Sequence, residues 1–199
     1  MKSLLKESVV VANDIQLLST IQEASAVICQ RELPQEMVEE AAKLLNDPDF
    51  EGIRALGTRE ELIQELEELA HYPAIQADIV HLLSLFFSAV GTESVRFAFI
   101  PVRNGMCRKF HTDVTDYRLL CTYKGVGTEI IRPENSIPGS DLFEQMSAES
   151  LKEGEVLLFR GALSATEEYP PLLHKSPAVN HPTDHRLLLR LDTNMTAWE

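Results

Sequence analysis

The chain has 199 residues, 44% of them hydrophobic and 25% charged, with a formal net charge of −13 at pH 7. Length and apolar content suit one domain, or one domain with an extension, able to fill its own core. So acidic a balance excludes general nucleic-acid binding, which needs cationic surface to displace phosphate counterions. Residues 1–92 hold 6 basic and 16 acidic residues, and residues 93–199 hold 12 and 15. The second half is therefore close to balance and open to an anionic ligand. Cys29, Cys107 and Cys121 are an odd number without disulfide spacing, which points to reduced thiols in a cytoplasm. Glu7, Asn13 and Asp14 break the apolar start, so it does not read as a signal peptide. The run 79–90 is short for a bilayer span and contains His81. A cytoplasmic protein with no membrane partner is expected.

In chain order, Asn13 or Asp14 caps a short helix carrying Leu17, Leu18 and Ile21 on one side. Residues 26–29 read as a short buried strand. Pro34 suits the first turn of a second helix, where its missing N–H costs nothing. Met37, Val38, Ala41, Leu44 and Leu45 form the stripe of that helix, and Asn46-Asp47-Pro48 ends it. Thr58 and Glu61 form a capping box that opens a helix burying Leu62, Ile63, Leu66 and Leu69. Its Glu60, Glu65, Glu67 and Glu68 form a solvated face. A further helix over 74–89 ends at Gly91. Its apolar residues cover more than one stripe, so it should lie against a sheet, with His81 in the core or at its boundary.

After Ser94 the helical period gives way to strand-like runs at 95–102, 118–123, 128–132, 155–160 and 186–191, separated by Pro/Gly/Ser turns. Residues 141–146 read as one helical turn or part of a lid. Helices followed by short strands predict an α+β fold with a jelly-roll-like core. The expected division is a helical N-terminal part, 1–93, buttressing a core at 94–199, with one structural domain overall.

His111 and Asp113 stand two apart just beyond the first of these strands. In extended chain, residues i and i+2 point to the same side, so the imidazole and the carboxylate can reach one point. That donor pair suits Fe(II), Mn(II) or Zn(II). Two ligands are too few, and His174 is the candidate third. Alone, a His-x-Asp is as readily a surface ion pair; the order of the features after it separates the readings. Arg118-Leu119-Leu120-Cys121-Thr122-Tyr123 runs into Gly125-Val126-Gly127-Thr128-Glu129. Then come Glu153-Gly154-Glu155-Val156-Leu157-Leu158-Phe159, His174, and Arg186-Leu187-Leu188-Leu189-Arg190-Leu191.

Over about residues 95–192 this order resembles the double-stranded β-helix of the 2-oxoglutarate/Fe(II)-dependent dioxygenases. The family's Gly-Gly appears here as Gly125-Val126-Gly127, and His181 and His185 closely follow the distal histidine. The wording Cys107-Arg108-Lys109-Phe110-His111-Thr112-Asp113 also resembles a bacterial family without an assigned activity, found in metal-homeostasis gene neighbourhoods. The oxygenase resemblance implies a facial triad of His111, Asp113 and His174 holding Fe(II), with 2-oxoglutarate as cosubstrate. It implies that Arg186 binds the far carboxylate bidentately, with Arg190 as runner-up on the same strand face. Tyr123 and Arg118 are further cosubstrate contacts.

Other readings of the same residues stay open. Arg186 can instead form an ion pair with Asp184 or Asp192. Cys107, His111, Cys121 and His174 can form a closed zinc site, although core packing suits Cys121 better. Glu129 is a third carboxylate that strands more often leave solvated. Neither a Gly-x-Ser-x-Gly elbow nor a phosphate loop is present. Two classes remain: an Fe(II)/2-oxoglutarate oxygenase acting on an unknown small-molecule or protein substrate, or a non-enzymatic protein of the same fold that binds zinc, another metal or a partner.

Overall fold

The computed structural model describes residues 8–104, 107–133 and 147–193. The strands are β1 Val9–Ala12, β2 Ala26–Cys29, β3 Ile53–Gly57, β4 Val95–Val102, β5 Tyr117–Lys124, β6 Glu129–Ile131, β7 Glu149–Ser150, β8 Val156–Arg160, β9 Leu173–Lys175 and β10 Arg186–Asp192. The α-helices are α1 Gln35–Asn46, α2 Arg59–Glu65 and α3 Pro73–Val90. The fold is mixed α and β, with a seven-stranded sheet ordered β1-β2-β8-β5-β10-β4-β3 and a three-stranded sheet ordered β7-β6-β9. Every strand pairing beyond residue 94 is antiparallel.

Strand pleating divides the large sheet between two cores. On β10, Leu187, Leu189 and Leu191 join the cluster that meets Phe86, Leu83 and Ile79 of α3 and Leu44 of α1. Leu188 points the other way, with Ile100, Leu120, Leu157 and Phe159, onto Ile130 and Leu172 of the small-sheet side. Helices, large sheet and small sheet thus form three layers.

Asp14 caps a 3-10 helix over Ile15–Glu23, and the Thr58/Glu61 capping box forms in full. Gly91 closes α3 in the left-handed conformation at φ 66°, which costs glycine little. By length and composition α3 could cross a membrane, but its Ile75, Ile79, Leu82, Leu83 and Phe86 are fully buried in the core.

The first 93 residues are more than an outer helical layer. They supply β1 and β2 to one edge of the large sheet and β3 to the other. β3 escaped the sequence reading because its apolar residues fall on both faces: burial alternates along the strand, but Leu56 lies on the exposed face with Arg54, so the sequence shows no apolar alternation. His81, expected at or near the core, is exposed instead. The expected turn or lid at 141–146 lies outside the described residues.

Candidate metal centre

β9 is only three residues long, yet it carries His174 into the interior, where the residue is 4% exposed. Opposite it, His111 forms a single antiparallel bridge. The His111 N–H donates to the His174 carbonyl and the His174 N–H to the His111 carbonyl, each at 3.0 Å. Two residues far apart in sequence thereby become a directly opposed pair, with ring centroids 4.5 Å apart. Asp113, two positions on, projects to the same place. One nitrogen from each histidine and one Asp113 oxygen lie within 4.8 Å of one another.

Hydrogen bonding orients both rings. The Nδ1 atom of His111 is 2.9 Å from the Lys109 carbonyl, and that of His174 is 3.4 Å from the Leu172 carbonyl. With Nδ1–H donating to a carbonyl, a neutral ring keeps its Nε2 lone pair for a metal, whereas in the metal-free protein a protonated ring donates from Nε2 to Asp113. Both Nε2 atoms face Asp113, His111 at 3.4 Å from Oδ1 and His174 at 3.1 Å from Oδ2. Burial would raise the Asp113 carboxyl, but the hydrogen bonds of His111 and His174 and the charges of His174 and Arg118 outweigh it. They hold the carboxyl well below the usual carboxylate range. In turn, the Asp113 hydrogen bond raises the His111 imidazole above its ordinary value.

Arg118 is the bracket behind this centre. On β5 its guanidinium bridges the Asp113 carboxylate to that of Asp192 on β10, which fixes how Asp113 presents its oxygens. Asp192 is 1% exposed and stands opposite Arg118 and Arg96 in the two strand registers.

The three triad residues line a cavity of about 560 Å³ together with Arg118, Arg186 and Arg190. Arg186 is 2% exposed. Its Nη2 donates to Ser176 Oγ at 2.9 Å, while Nε and Nη1 have no hydrogen-bond partner among the described residues. The ion pairs open to it in the sequence do not form: Asp184 accepts from the Asn180 and His181 backbone, and Asp192 is taken by Arg118 and Arg190. Burial without a counter-charge pushes the guanidinium down to about 10. The preceding turn needs glycine. At Gly125 (φ +93°) a Cβ would lie 2.5 Å from the His185 carbonyl oxygen and 2.9 Å from the Arg186 Cβ. Arg190, on the same face of β10, has Nε 3.2 Å from Asp192 Oδ2 but off the line of a hydrogen bond; it too is pushed down, chiefly by burial.

Tyr123 is not part of this cavity, and its assignment as a cosubstrate contact is corrected. It lies on the opposite face of β5, fully buried, and donates its hydroxyl to Asp78 Oδ2 of α3 at 2.6 Å. Asp78 is also held bidentately by Arg31. The reason is parity: Tyr117, Leu119, Cys121 and Tyr123 face the helices, whereas Arg118, Leu120 and Thr122 face the other way. Candidates five residues apart on one strand cannot share a face. Tyr123→Phe is therefore expected to lower stability by about 1–2 kcal/mol through the lost hydrogen bond. Denaturation midpoints measure that loss, and 2-oxoglutarate affinity, measured alongside, is expected to stay at the wild-type value.

The four-ligand zinc arrangement does not assemble either. Cys121 sits on that same wrong face, its thiol pushed up to about 12 by burial. Cys107 lines the cavity but is not in the ligand cluster. Among the described residues, His181 is exposed and His185 lines a separate small cavity beside Lys124 and Glu153. Glu129 pairs with Lys175 at 3.1 Å. Sequence reasoning did not single out Ser176, Arg96 or Thr128, which also line the main cavity. Ser176 was legible by its spacing, two residues beyond His174.

The profile of a protein family described as of unknown function, DUF1826, matches residues 12–192. The chain belongs to the DUF1826 family. No curated protein matches it significantly in sequence. Among solved structures, this DUF1826 protein is similar to dioxygenase for auxin oxidation 1 from Arabidopsis thaliana in complex with 2-oxoglutarate. The TM-score is 0.52 at 10% identity, covering 94% of this chain and 92% of that one. It also matches a full-length Neurospora crassa protein in complex with alpha-KG (TM-score 0.47, 13% identity, 98% and 88% covered) and a Pseudomonas putida prolyl-4-hydroxylase (0.46, 14%, 91% and 98%). At these identities the likeness concerns the fold, which the DUF1826 chain shares with the Arabidopsis dioxygenase.

Proposed function

We propose that this DUF1826 protein is a mononuclear Fe(II)/2-oxoglutarate-dependent oxygenase built on a double-stranded β-helix. One observation carries the reading: a two-histidine, one-aspartate cluster shares a cavity with a buried arginine that pairs with no carboxylate among the described residues. The strand order supports the jelly-roll. β8-β5-β10-β4 in the large sheet lies across a shared core from β7-β6-β9 and the His111 bridge, with antiparallel pairing throughout that part. Three unpaired cysteines support a reducing, cytoplasmic setting.

The donor set fits the group. Two imidazoles and one carboxylate suit ferrous iron and leave coordination positions open, and Arg186 suits a dicarboxylate. When bound, iron and 2-oxoglutarate supply the activation of O2. The protein's own contribution is positional. His111 and His174 present Nε2, and Asp113 presents one oxygen while Arg118 holds the carboxylate in place. Arg186 and Ser176 offer N–H and O–H donors to the far carboxylate, and the apolar Leu120 and Leu188 exclude water from the cavity wall. The donor set also accommodates zinc, and a non-enzymatic metal- or partner-binding module is the outcome to be separated from catalysis.

Anaerobic titration of the Fe(II)-loaded protein with 2-oxoglutarate makes that separation. A visible metal-to-ligand band is expected, followed by succinate on admission of air even without the true substrate. Absence of both band and succinate rejects the oxygenase and leaves the binding module.

A further inference from the structure

The cavity holds more positive charge than a metal and 2-oxoglutarate account for. Leaving Arg96 aside, its described lining places Arg118, Arg186 and Arg190 against Asp113 and Asp192, one positive charge in excess. Lys175 is answered by Glu129. A divalent metal adds two charges and 2-oxoglutarate removes two, so the excess survives loading. A buried surplus of charge is costly until an anion answers it, and this one stands in a chain with net charge −13.

Position says where that anion goes. Arg186 and Arg190 share a face of β10 four residues apart, which is about 13 Å along the strand, so they serve different ends of the cavity. Arg118 is committed to two carboxylates. Among the described residues Arg190 meets only Asp192, its Nε 3.2 Å from Oδ2 and off the line of a hydrogen bond, while Arg118 holds Oδ1 of the same carboxylate. The adjoining walls are apolar, with Leu120, Leu188 and the exposed Val114. The volume, about 560 Å³, lies within the roughly 300–1,000 Å³ of sites for drug-sized ligands.

We propose that Arg190 forms a second anion subsite that receives a small organic anion, a carboxylate or phosphate, as the substrate beside 2-oxoglutarate. The role of that anion as substrate rests on the oxygenase reading; the subsite itself does not.

The test uses metal-loaded protein in 0.15 M NaCl, anaerobic and saturated with 2-oxoglutarate, titrated calorimetrically with benzoate and with inorganic phosphate. At least one probe is expected to bind with 2-oxoglutarate still in place, and which one separates carboxylate from phosphate chemistry. Arg190→Gln is expected to weaken that binding about tenfold or more while leaving 2-oxoglutarate affinity and melting temperature at wild-type values. Arg190→Lys, which keeps a charge without the fork, should lose less and guards against a folding artefact. The proposal is overturned if neither probe binds, if the probe displaces 2-oxoglutarate, or if Arg190→Gln weakens both ligands together. Should the wild type bind no 2-oxoglutarate, the oxygenase reading fails on its own. Arg190-dependent binding of a probe to the metal-loaded protein then still decides the subsite.

Discussion

His174→Ala is expected to abolish stoichiometric metal binding. His174 is the most buried of the three ligands, at 5% side-chain exposure against 12% for Asp113 and 32% for His111. No described histidine, cysteine or acidic residue outside the trio joins the cluster to replace it. Four-ligand zinc sites bind with about 10–16 kcal/mol, or about 2.5–4 kcal/mol per ligand, so losing one ligand weakens binding on the order of tens- to hundreds-fold. His111→Ala should act alike. Asp113→Ala should cost more, because it also deprives Arg118 of one of its two carboxylates. Metal content per chain after exhaustive dialysis reads the effect: one ion for the wild type, none for the variants. Full occupancy in His111→Ala and Asp113→Ala would move the site elsewhere, with Cys107 the first residue to test. The paired backbone hydrogen bonds of residues 111 and 174 do not involve the rings, so the fold should survive these changes.

The second large effect falls on the cosubstrate. Arg186→Ala is expected to weaken 2-oxoglutarate binding by about 2–5 kcal/mol, tens- to thousandsfold, with metal content unchanged. A dicarboxylate entering this cavity gives up its hydration, and the open Nε and Nη1 of Arg186 are the donors that replace it. Arg186→Lys should recover part of the loss, since an ammonium keeps the charge but not the planar fork. Stability should move the other way. Among the described residues, the free protein gives this buried guanidinium one partner, the neutral Ser176. Its removal should therefore leave the melting temperature of the ligand-free protein unchanged or raised, while the increase brought by 2-oxoglutarate disappears. Equal 2-oxoglutarate affinity in Arg186→Ala and wild type would refute the assignment.

Much of this was legible in the sequence because strand and helix periods are local. The capping box at Thr58, the stop at Gly91 and the strands carrying Arg118 and Arg186 are written in neighbouring residues. His111 and Asp113 were legible for the same reason, as an i, i+2 pair. Pairing between distant segments was not. β9 is three residues long and has no pattern of its own, so only the order of motifs pointed to His174. β1 and β3 lie on sheet edges; β1 carries the β-branched Val9, Val10 and Val11, a strand signal that went unused, whereas β3 spreads its apolar residues over both faces. Tyr123 failed on parity, which the sequence did contain. Arg118, four positions before Thr122 and five before Tyr123, shares a face with the first and not the second. The lack of a counter-charge at Arg186 had no local signal at all, since what matters is which acids elsewhere are already engaged.

The His111–His174 bridge has a consequence for how the protein assembles and lasts. It is a solitary rung between a loop and the short β9, with its two sides remote along the chain. An ion gripped from both sides of that rung acts as a staple, adding bonds where the backbone provides only two. On the metal-centre reading, occupancy would govern local opening of this seam. The emptied protein would breathe first at this seam and be the form on which proteases gain a foothold, while the large sheet beneath stays closed. Metal supply would in this way set the lifetime of the chain.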